Sequence, residues 1–528
     1  MKNFLTNNIH IFIFFIFFLF QFQIYDDYGF SWDEGFSRMN GLVSYNYIIE
    51  KLSLKEFLFD GNIPKLQYYN DREYGSFYEV LSVFIEKILS LNDTKDIYLF
   101  RHFFNSLFFF IAGLYFFFTL RKFNNNTISL IGFLIFISHP RILAQSFYNS
   151  KDIIFLCFFC ISNYYLISFL LKKNFYNLLL FTFFLSITIG TRIMGLLIPI
   201  MFIFFFLMEN FEKDKTNDIK NFFVFSILTC FFTIILWPFL WENPLNIFET
   251  FSSMSKYDWR GSVYFNGNYY SGKYLPWYYL PFIILITTPI TYILLFLIGS
   301  FLIFKFALKN LFNLGKIKKN IWSNKEELFC LYSISIIIFT LVFVIELNST
   351  LYNGWRQVFF IYPSIVFVST YALKILLNNI KIKKIIYIFV ILSLFFNFFW
   401  IYQNHPYQYT FYNSIIKNDK IKKFELDYWG VSNLDIMNKL NELDPNKEYY
   451  NIYVYSHSPY NLSLNLMEKN LSKKFIFIDS LEKADYIFTN HFYQNKDPLI
   501  TEKYLNENFR LIYEIKSNNV RINSIYKK

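Results

Sequence analysis

The sequence predicts an α-helical polytopic membrane protein with about eleven spanning helices and a small α/β domain at its C-terminus. Three observations lead there. The chain is 55% hydrophobic and only 17% charged, with a mean hydropathy of +0.30, whereas a soluble domain carries about 25% charged residues. Apolar runs of spanning length recur from the N-terminus to residue 402, separated by short loops bearing Lys and Arg. Beyond residue 402 the composition turns polar and strand-like runs alternate with a helical stretch.

A span needs about 20 predominantly apolar residues, and the Lys/Arg bias of short loops sets its orientation. Candidate spans run over 8–25, 97–120, 127–147, 152–171, 175–189, 193–208, 222–240, 281–304, 328–347, 356–373 and 385–402. The first has no small-residue cleavage site after it and reads as an uncleaved span. This division places Arg121-Lys122, Lys172-Lys173, residues 209–221, the Lys-rich 305–327 and Lys374 to Lys384 on one side, together with the N-terminus. That side is expected to be cytoplasmic. Residues 26–96, 148–151, 190–192, 241–280, 348–355 and everything after 402 fall on the other, expected to be the periplasmic side of a bacterial inner membrane.

Residues 1–402 thus read as the transmembrane domain and 403–528 as a periplasmic one. The first outer loop, 26–96, holds 13 acidic residues against seven Lys/Arg. Within it, Phe77 to Leu91 is amphipathic (Val80, Val83, Phe84, Lys87, Ile88) and suits the membrane surface. The second long loop, 241–280, carries Trp241-Glu242-Asn243-Pro244, Lys256-Tyr257-Asp258-Trp259-Arg260 and Gly261, Gly267 and Gly272, which read as a flap. In the C-terminal part, strands are expected at Tyr450 to Tyr455, Phe475 to Ile478, Tyr486 to Thr489 and Arg510 to Ile515, with a helix near 459–470.

The formal charge of +11 is scattered over helix-end loops, a pattern of positive-inside anchoring rather than of nucleic-acid binding. Cys157, Cys160, Cys230 and Cys330 all lie in apolar stretches, where Cys acts as a small hydrophobe. The Cys157–Cys160 spacing sits inside a predicted span and does not read as a redox or metal motif. No internal repeat is visible, and no metal-ligating cluster is read; a divalent-metal requirement is left open.

Cations at the outer ends of spans run against the positive-inside rule and call for an anionic partner. Arg101, Arg141, Lys151, Arg192 and Arg356 occupy that plane, as a phosphate-bearing lipid headgroup would require. Carboxylates complement them in Tyr25-Asp26-Asp27-Tyr28-Gly29-Phe30-Ser31-Trp32-Asp33-Glu34, directly after the first span. Neighbouring carboxylates repel, so one can act as a base while the other orients it. Trp32, Tyr74, Trp259 and Trp355 are placed to stack on sugar faces or to anchor the interface.

A first span followed by an outer-loop Trp-Asp-Glu resembles the integral-membrane type-C glycosyltransferases, in particular the protein O-mannosyltransferase-like family (family 39). Ser138-His139-Pro140-Arg141 through Ser146-Phe147-Tyr148-Asn149-Ser150-Lys151-Asp152 is similar to the family's second outer loop, with its Pro, its Ser and a later Asp opening the next helix. Tyr352-Asn353-Gly354-Trp355-Arg356 through Tyr362-Pro363 resembles a later loop signature, as does His405-Pro406-Tyr407 through Tyr412-Asn413 followed by Asp427-Tyr428-Trp429-Gly430. The likeness spans residues 20–430. It implies the type-C fold and transfer of a sugar from a polyprenyl-phosphate carrier to a hydroxyl of a glycan, lipid or protein, with inversion. By the same resemblance Asp33 is the catalytic base with Glu34 beside it. The expected donor-phosphate ligands are Arg356, Arg141, Lys151 and Arg192, and the expected substrate-binding rings Tyr74, Trp259 and Trp355. The family usually places Arg after the Ser of the second loop, where this chain has Phe147; Arg141 or Lys151 stands in. Two other readings use similar charges: a transporter or flippase of lipid-linked sugars, and a glycan polymerase or ligase.

Overall fold

The computed structural model describes residues 2–210, 215–255, 259–313, 320–379, 381–494 and 498–528. Among the described residues, seven helices are long and apolar enough to cross a membrane: Thr94–Arg121, Asp152–Leu171, Ile219–Leu236, Ile290–Phe312, Lys325–Glu346, Arg356–Asn378 and Lys383–Gln403. The expected span 127–147 is two helices, Asn126–Ile137 and Pro140–Tyr148, bent by 65°. The break has a local cause. Pro140 is the first residue of the second helix and has no N–H to continue the first, while the His139 side chain accepts the Ile142 N–H as its cap. The remaining expected spans fall on shorter apolar helices, Asn8–Ile24, Phe175–Thr191 and Ile193–Met208. Length and composition therefore support seven or eight crossings directly, against the eleven expected.

The chain is a multi-pass membrane protein, and its surface shows why. Phe12, Phe223, Phe301 and Ile385 are each more than 60% exposed, far more apolar surface than water tolerates. The helix Asp152–Leu171 runs through the middle, with Ile153 to Ile161 all buried. Cys157 and Cys160 lie there as packing residues, unbonded and buried. The first outer loop folds into two helices, Glu34–Lys51 and Phe77–Ile88. The second of these leaves Phe84 and Ile88 exposed, and it buries Glu79 and Glu86 against Arg101 of the helix Thr94–Arg121.

Residues 241–280 form the helix Asn246–Ser255 and an antiparallel hairpin, β1 (Ser262–Phe265) and β2 (Asn268–Ser271). Lys256, Tyr257 and Asp258 of the expected flap lie outside the described residues. The hairpin is docked: Phe265 packs against Tyr279 and Phe424, and Gly267 N–H donates to Lys423 O at 2.9 Å. Gly261 and Gly272 have a steric role, since a Cβ at either would run into the Trp259 ring.

The main apolar core continues past residue 402 and takes in Tyr409, Tyr412, Ile421, Phe424, Tyr428, Trp429 and Val431. A second core begins at Ile436. It belongs to a five-stranded mixed sheet of β3 (Tyr450–Val454), β4 (Phe475–Phe477), β5 (Tyr486–Thr489), β6 (Arg510–Ser517) and β7 (Val520–Lys527), ordered β4-β3-β5-β7-β6. β3 pairs in parallel with β4 and β5, and β7 runs antiparallel between β5 and β6. Four of these strands match expected ones; β7 does not. In place of the expected helix at 459–470 there is a 3-10 segment, Tyr460–Leu466, and a short turn of helix, Lys469–Ser472. The longer helices of this domain are Asn433–Leu443 and Pro498–Asn508.

Candidate active site

The segment after the first helix is held by a close chain crossing. A Cβ at Gly29 would lie 2.1 Å from Val431 O, so only glycine lets the two backbones approach. Trp32 N–H donates to Trp429 O at 3.3 Å, and Tyr28 stacks on Phe147 at 4.5 Å. The Phe147 position is thus a buried ring slot. The Asp427 carboxylate receives the Gly430, Val431 and Ser432 N–H groups at 2.8, 3.2 and 3.1 Å, which builds the turn presenting Trp429. Asn490 Nδ2 of the C-terminal domain donates to Asp427 O at 2.7 Å and ties that domain to the same turn.

Asp33 and Glu34 diverge from this turn. The Glu34 carboxylate is buried, receiving the Ser31 N–H at 2.6 Å and facing His102 Nε2 at 2.8 Å. It stabilises the turn and is turned away from solvent. Asp33 is the accessible one, its side chain 31% exposed, with Oδ2 2.7 Å from Arg356 Nη1. The same Nη1 lies 3.2 Å from Asp152 Oδ2, and Asp152 is also paired with Arg192. Asp152 opens its helix, with Asn149 both capping its N–H and donating to its carboxylate at 3.0 Å. A chain of alternating charge, Asp33–Arg356–Asp152–Arg192, therefore crosses the end of the bundle. The guanidinium of Arg356 also lies 4.4 Å from the Trp429 ring and 5.0 Å from that of Tyr352. Arg356 and Arg192 each keep one buried Nε without a hydrogen-bond partner.

A cavity lies at each end of this chain. One, of about 310 Å³, is lined mainly by apolar side chains, including Met194, Ile200, Trp237 and Val344, with Glu73, Tyr74, Arg192 and Gln357 among its polar lining. The other, of about 400 Å³, is polar and aromatic and contains Asp33, Arg356, Trp259 and Trp429. Tyr74 reaches the first cavity because Gly75 crosses Gly190 so closely that a Cβ would sit 1.9 Å from Gly190 O. Lys151 Nζ lies 4.5 Å above the Tyr74 ring.

The structure thus brings Asp33, Arg356, Arg192, Lys151, Tyr74 and Trp259 to one region, and places the others elsewhere. Arg141 is buried behind the loop, its Nε donating to Phe411 O at 2.9 Å and its guanidinium 4.5 Å from the Tyr412 ring. Trp355 is buried against Phe359 and donates its indole N–H to Thr287 Oγ1 at 2.8 Å. Arg101 is enclosed by Glu79 and Glu86 at 2.6 Å each. Gly354, with φ +69°, makes the turn that sends Trp355 inward and Arg356 toward Asp33.

Residues with no role assigned from sequence join the site: Asp152, Trp429, and Glu425, which receives Tyr264 N–H and Gly354 N–H at 3.1 Å each and also binds the Asn353 amide. Asp152 carried a usable signal, a carboxylate opening an apolar helix beside an outer-plane Lys. Glu425 carried none, because its partners are distant in sequence. Among the described residues no group of three or more His, Cys, Asp or Glu is placed to hold a metal ion.

No family model and no curated protein matches this chain. Among solved structures, the apo form of ArnT from Cupriavidus metallidurans aligns over 98% of this chain and 97% of that one, at 10% identity and a TM-score of 0.48. The same protein bound to undecaprenyl phosphate gives equal coverage, 10% identity and a TM-score of 0.47. The apo oligosaccharyltransferase of Archaeoglobus fulgidus aligns over 98% of this chain and 74% of its own, at 10% identity and a TM-score of 0.48.

Proposed function

We propose that the chain is a type-C membrane glycosyltransferase that moves a sugar from a polyprenyl-phosphate carrier to a hydroxyl acceptor, with inversion. The observation that carries this is the ion chain Asp33–Arg356–Asp152–Arg192, which runs from a polar, aromatic cavity at Asp33 and Arg356 to an apolar groove at Arg192. A lipid tail suits the groove. Its phosphate then reaches Arg192 and Arg356, whose unsatisfied Nε groups favour an anion with several acceptor oxygens. Lys151 adds positive charge beside Tyr74.

In the reaction, the acceptor hydroxyl oxygen attacks the anomeric carbon from the side opposite the phosphate. Asp33 takes the hydroxyl proton, the bond from the anomeric carbon to the phosphate oxygen breaks, and polyprenyl phosphate leaves with the electron pair. A phosphate monoester is a good leaving group, so no second carboxylic acid is required, in contrast to glycosidases. Arg356 and Arg192 stabilise the charge developing on that oxygen. Arriving phosphate competes with Asp33 and Asp152 for Arg356, and that exchange frees the Asp33 carboxylate to act as base.

The deciding measurement is single-turnover sugar transfer by Asp33→Asn, with donor affinity determined on the same preparation. The amide keeps size and polarity but accepts no proton, so transfer is expected to fall about 100-fold or more with donor affinity nearly unchanged. Glu34→Gln is expected to reduce transfer far less. Near-wild-type turnover of Asp33→Asn would remove the role of base from Asp33, and a wild type that binds the donor but transfers no sugar would move the assignment to a carrier of lipid-linked sugars.

A further inference from the structure

The transferase reading leaves the acceptor open among glycan, lipid and protein. The polar cavity discriminates between them. Its wall is shared by the two parts of the molecule: Trp32, Trp259 and Trp429 come from the membrane side, and His457, Phe492 and Gln494 come from the C-terminal domain. The C-terminal residues are mutually fixed, since His457 N–H donates to Phe492 O at 2.8 Å, and the His457 ring lies 5.4 Å from that of Trp32. Asp33 lies on the floor of the same cavity.

Rings on several sides of a cavity that also carries amides suit one ligand chemistry in particular. The face of an aromatic ring is partly negative, and the C–H bonds on a pyranose face are partly positive, so sugar rings lie flat on Trp and Phe. Asn353 and Gln494 supply donors and acceptors for equatorial hydroxyls. The volume, about 400 Å³, is that of a small-molecule site. Among the described lining residues Arg260 and Arg356 stand with Asp33, and Arg356 is shared with Asp152, so the ring faces are the distinctive feature of the wall. A Ser or Thr hydroxyl on a polypeptide needs one narrow opening and makes no use of an aromatic enclosure.

We propose that the acceptor is a saccharide, held in this cavity with one face against the C-terminal domain at His457 and Phe492 and one hydroxyl directed at Asp33. The proposal rests on the transferase reading for its chemistry, and its test is independent of turnover.

The full-length protein in lipid nanodiscs, without donor, is titrated with chitotriose, maltotriose and a Ser/Thr-containing heptapeptide, and tryptophan fluorescence is followed. The same samples are titrated with undecaprenyl phosphate. At least one trisaccharide is expected to change the emission saturably. Phe492→Ala and His457→Ala are each expected to weaken that binding by roughly three- to tenfold, while undecaprenyl phosphate binds as to the wild type, which also reports an intact fold. Binding of the peptide alone, no response to either sugar, or equal saccharide affinity in both variants overturns the proposal. A wild-type protein that binds saccharide normally but transfers no sugar would instead defeat the transferase reading and leave this site standing.

Discussion

Arg356 is the residue on which most of the site's geometry converges. One nitrogen, Nη1, serves both Asp33 at 2.7 Å and Asp152 at 3.2 Å, and the guanidinium carbon lies over the rings of Trp429 and Tyr352, 4.4 and 5.0 Å from their centroids. A planar cation stacked in this way is not replaced by the point charge of Lys. Arg356→Ala is expected to weaken polyprenyl-phosphate binding at least about tenfold, since a hydrogen bond to a charged group contributes about 1.5–3 kcal/mol. Arg356→Lys is expected to recover only part of the loss. Donor affinity measured by fluorescence titration checks both, and unchanged affinity in a folded Arg356→Ala protein would assign the residue to structure. Asp152 keeps Arg192 in either variant, which spares the fold the cost of an uncompensated buried charge.

Single contacts between elements set where these side chains stand. The crossing of Gly75 and Gly190 is backbone on backbone, with no flexible side chain to give way. Gly75→Ala is therefore expected to destabilise the protein by about 1–3 kcal/mol or more and to weaken donor binding through displacement of Tyr74. Thermal unfolding and donor titration of the variant test the two effects together.

Glu425 makes a second such contact, clamping β1 and the Asn353-Gly354 turn. Burial pushes its carboxyl up to about 7, although the Asn353, Tyr264 and Gly354 donors and the nearby Arg141 oppose the shift. The unfolded carboxyl titrates near 4.5. Between these values the folded protein holds a proton that the unfolded chain releases, so stability falls as pH rises through that window. Glu425's contribution is complete below pH 4.5 and gone above about 7. Thermal midpoints are expected to decline from pH 5 to 8 in the wild type, and less steeply in Glu425→Gln. Equal slopes would show that the carboxyl titrates normally.

The whole molecule joins a lipid-facing bundle to a mixed sheet through the segment 404–432, whose apolar residues belong to the bundle's core. The Asp427 turn and Asn490 join the two parts at the cavity. The loop charges predict an orientation in the membrane, with Lys172 on the side opposite residues 26–96 and 403–528. Tyr68, Tyr449 and Lys172 are all exposed. In a background lacking the native cysteines, Tyr68→Cys and Tyr449→Cys are expected to react with an impermeant maleimide in cells whose inner membrane is intact. Lys172→Cys is expected to react only after that membrane is opened. Labelling of Tyr449→Cys only after permeabilisation would overturn the arrangement.

Spans are legible in a sequence because lipid demands a local property, an uninterrupted apolar run, that no distant residue supplies. Hence the runs 152–171 and 385–402 agree nearly to the residue with the helices Asp152–Leu171 and Lys383–Gln403, and Asp33-Glu34 is legible as a pair of carboxylates after an apolar run. The same local logic located four of the five C-terminal strands. It gave less at 127–147, where one apolar run is two helices because Pro140 breaks it, and at β7, which is defined by the neighbours it pairs with. Which of two adjacent carboxylates faces solvent was a tertiary decision: His102 claims Glu34 and Arg356 claims Asp33. So were the inward turns of Arg141 and Trp355, the enclosure of Arg101 by Glu79 and Glu86, and the part played by Asp152. Charges and rings gain their roles from partners that lie far off in sequence, 323 residues apart in the case of Asp33 and Arg356. Burial then strengthens each such pairing by excluding the water that would compete for it. Composition along the chain determines where the membrane is; only the packing of the helices decides which polar groups meet at its edge.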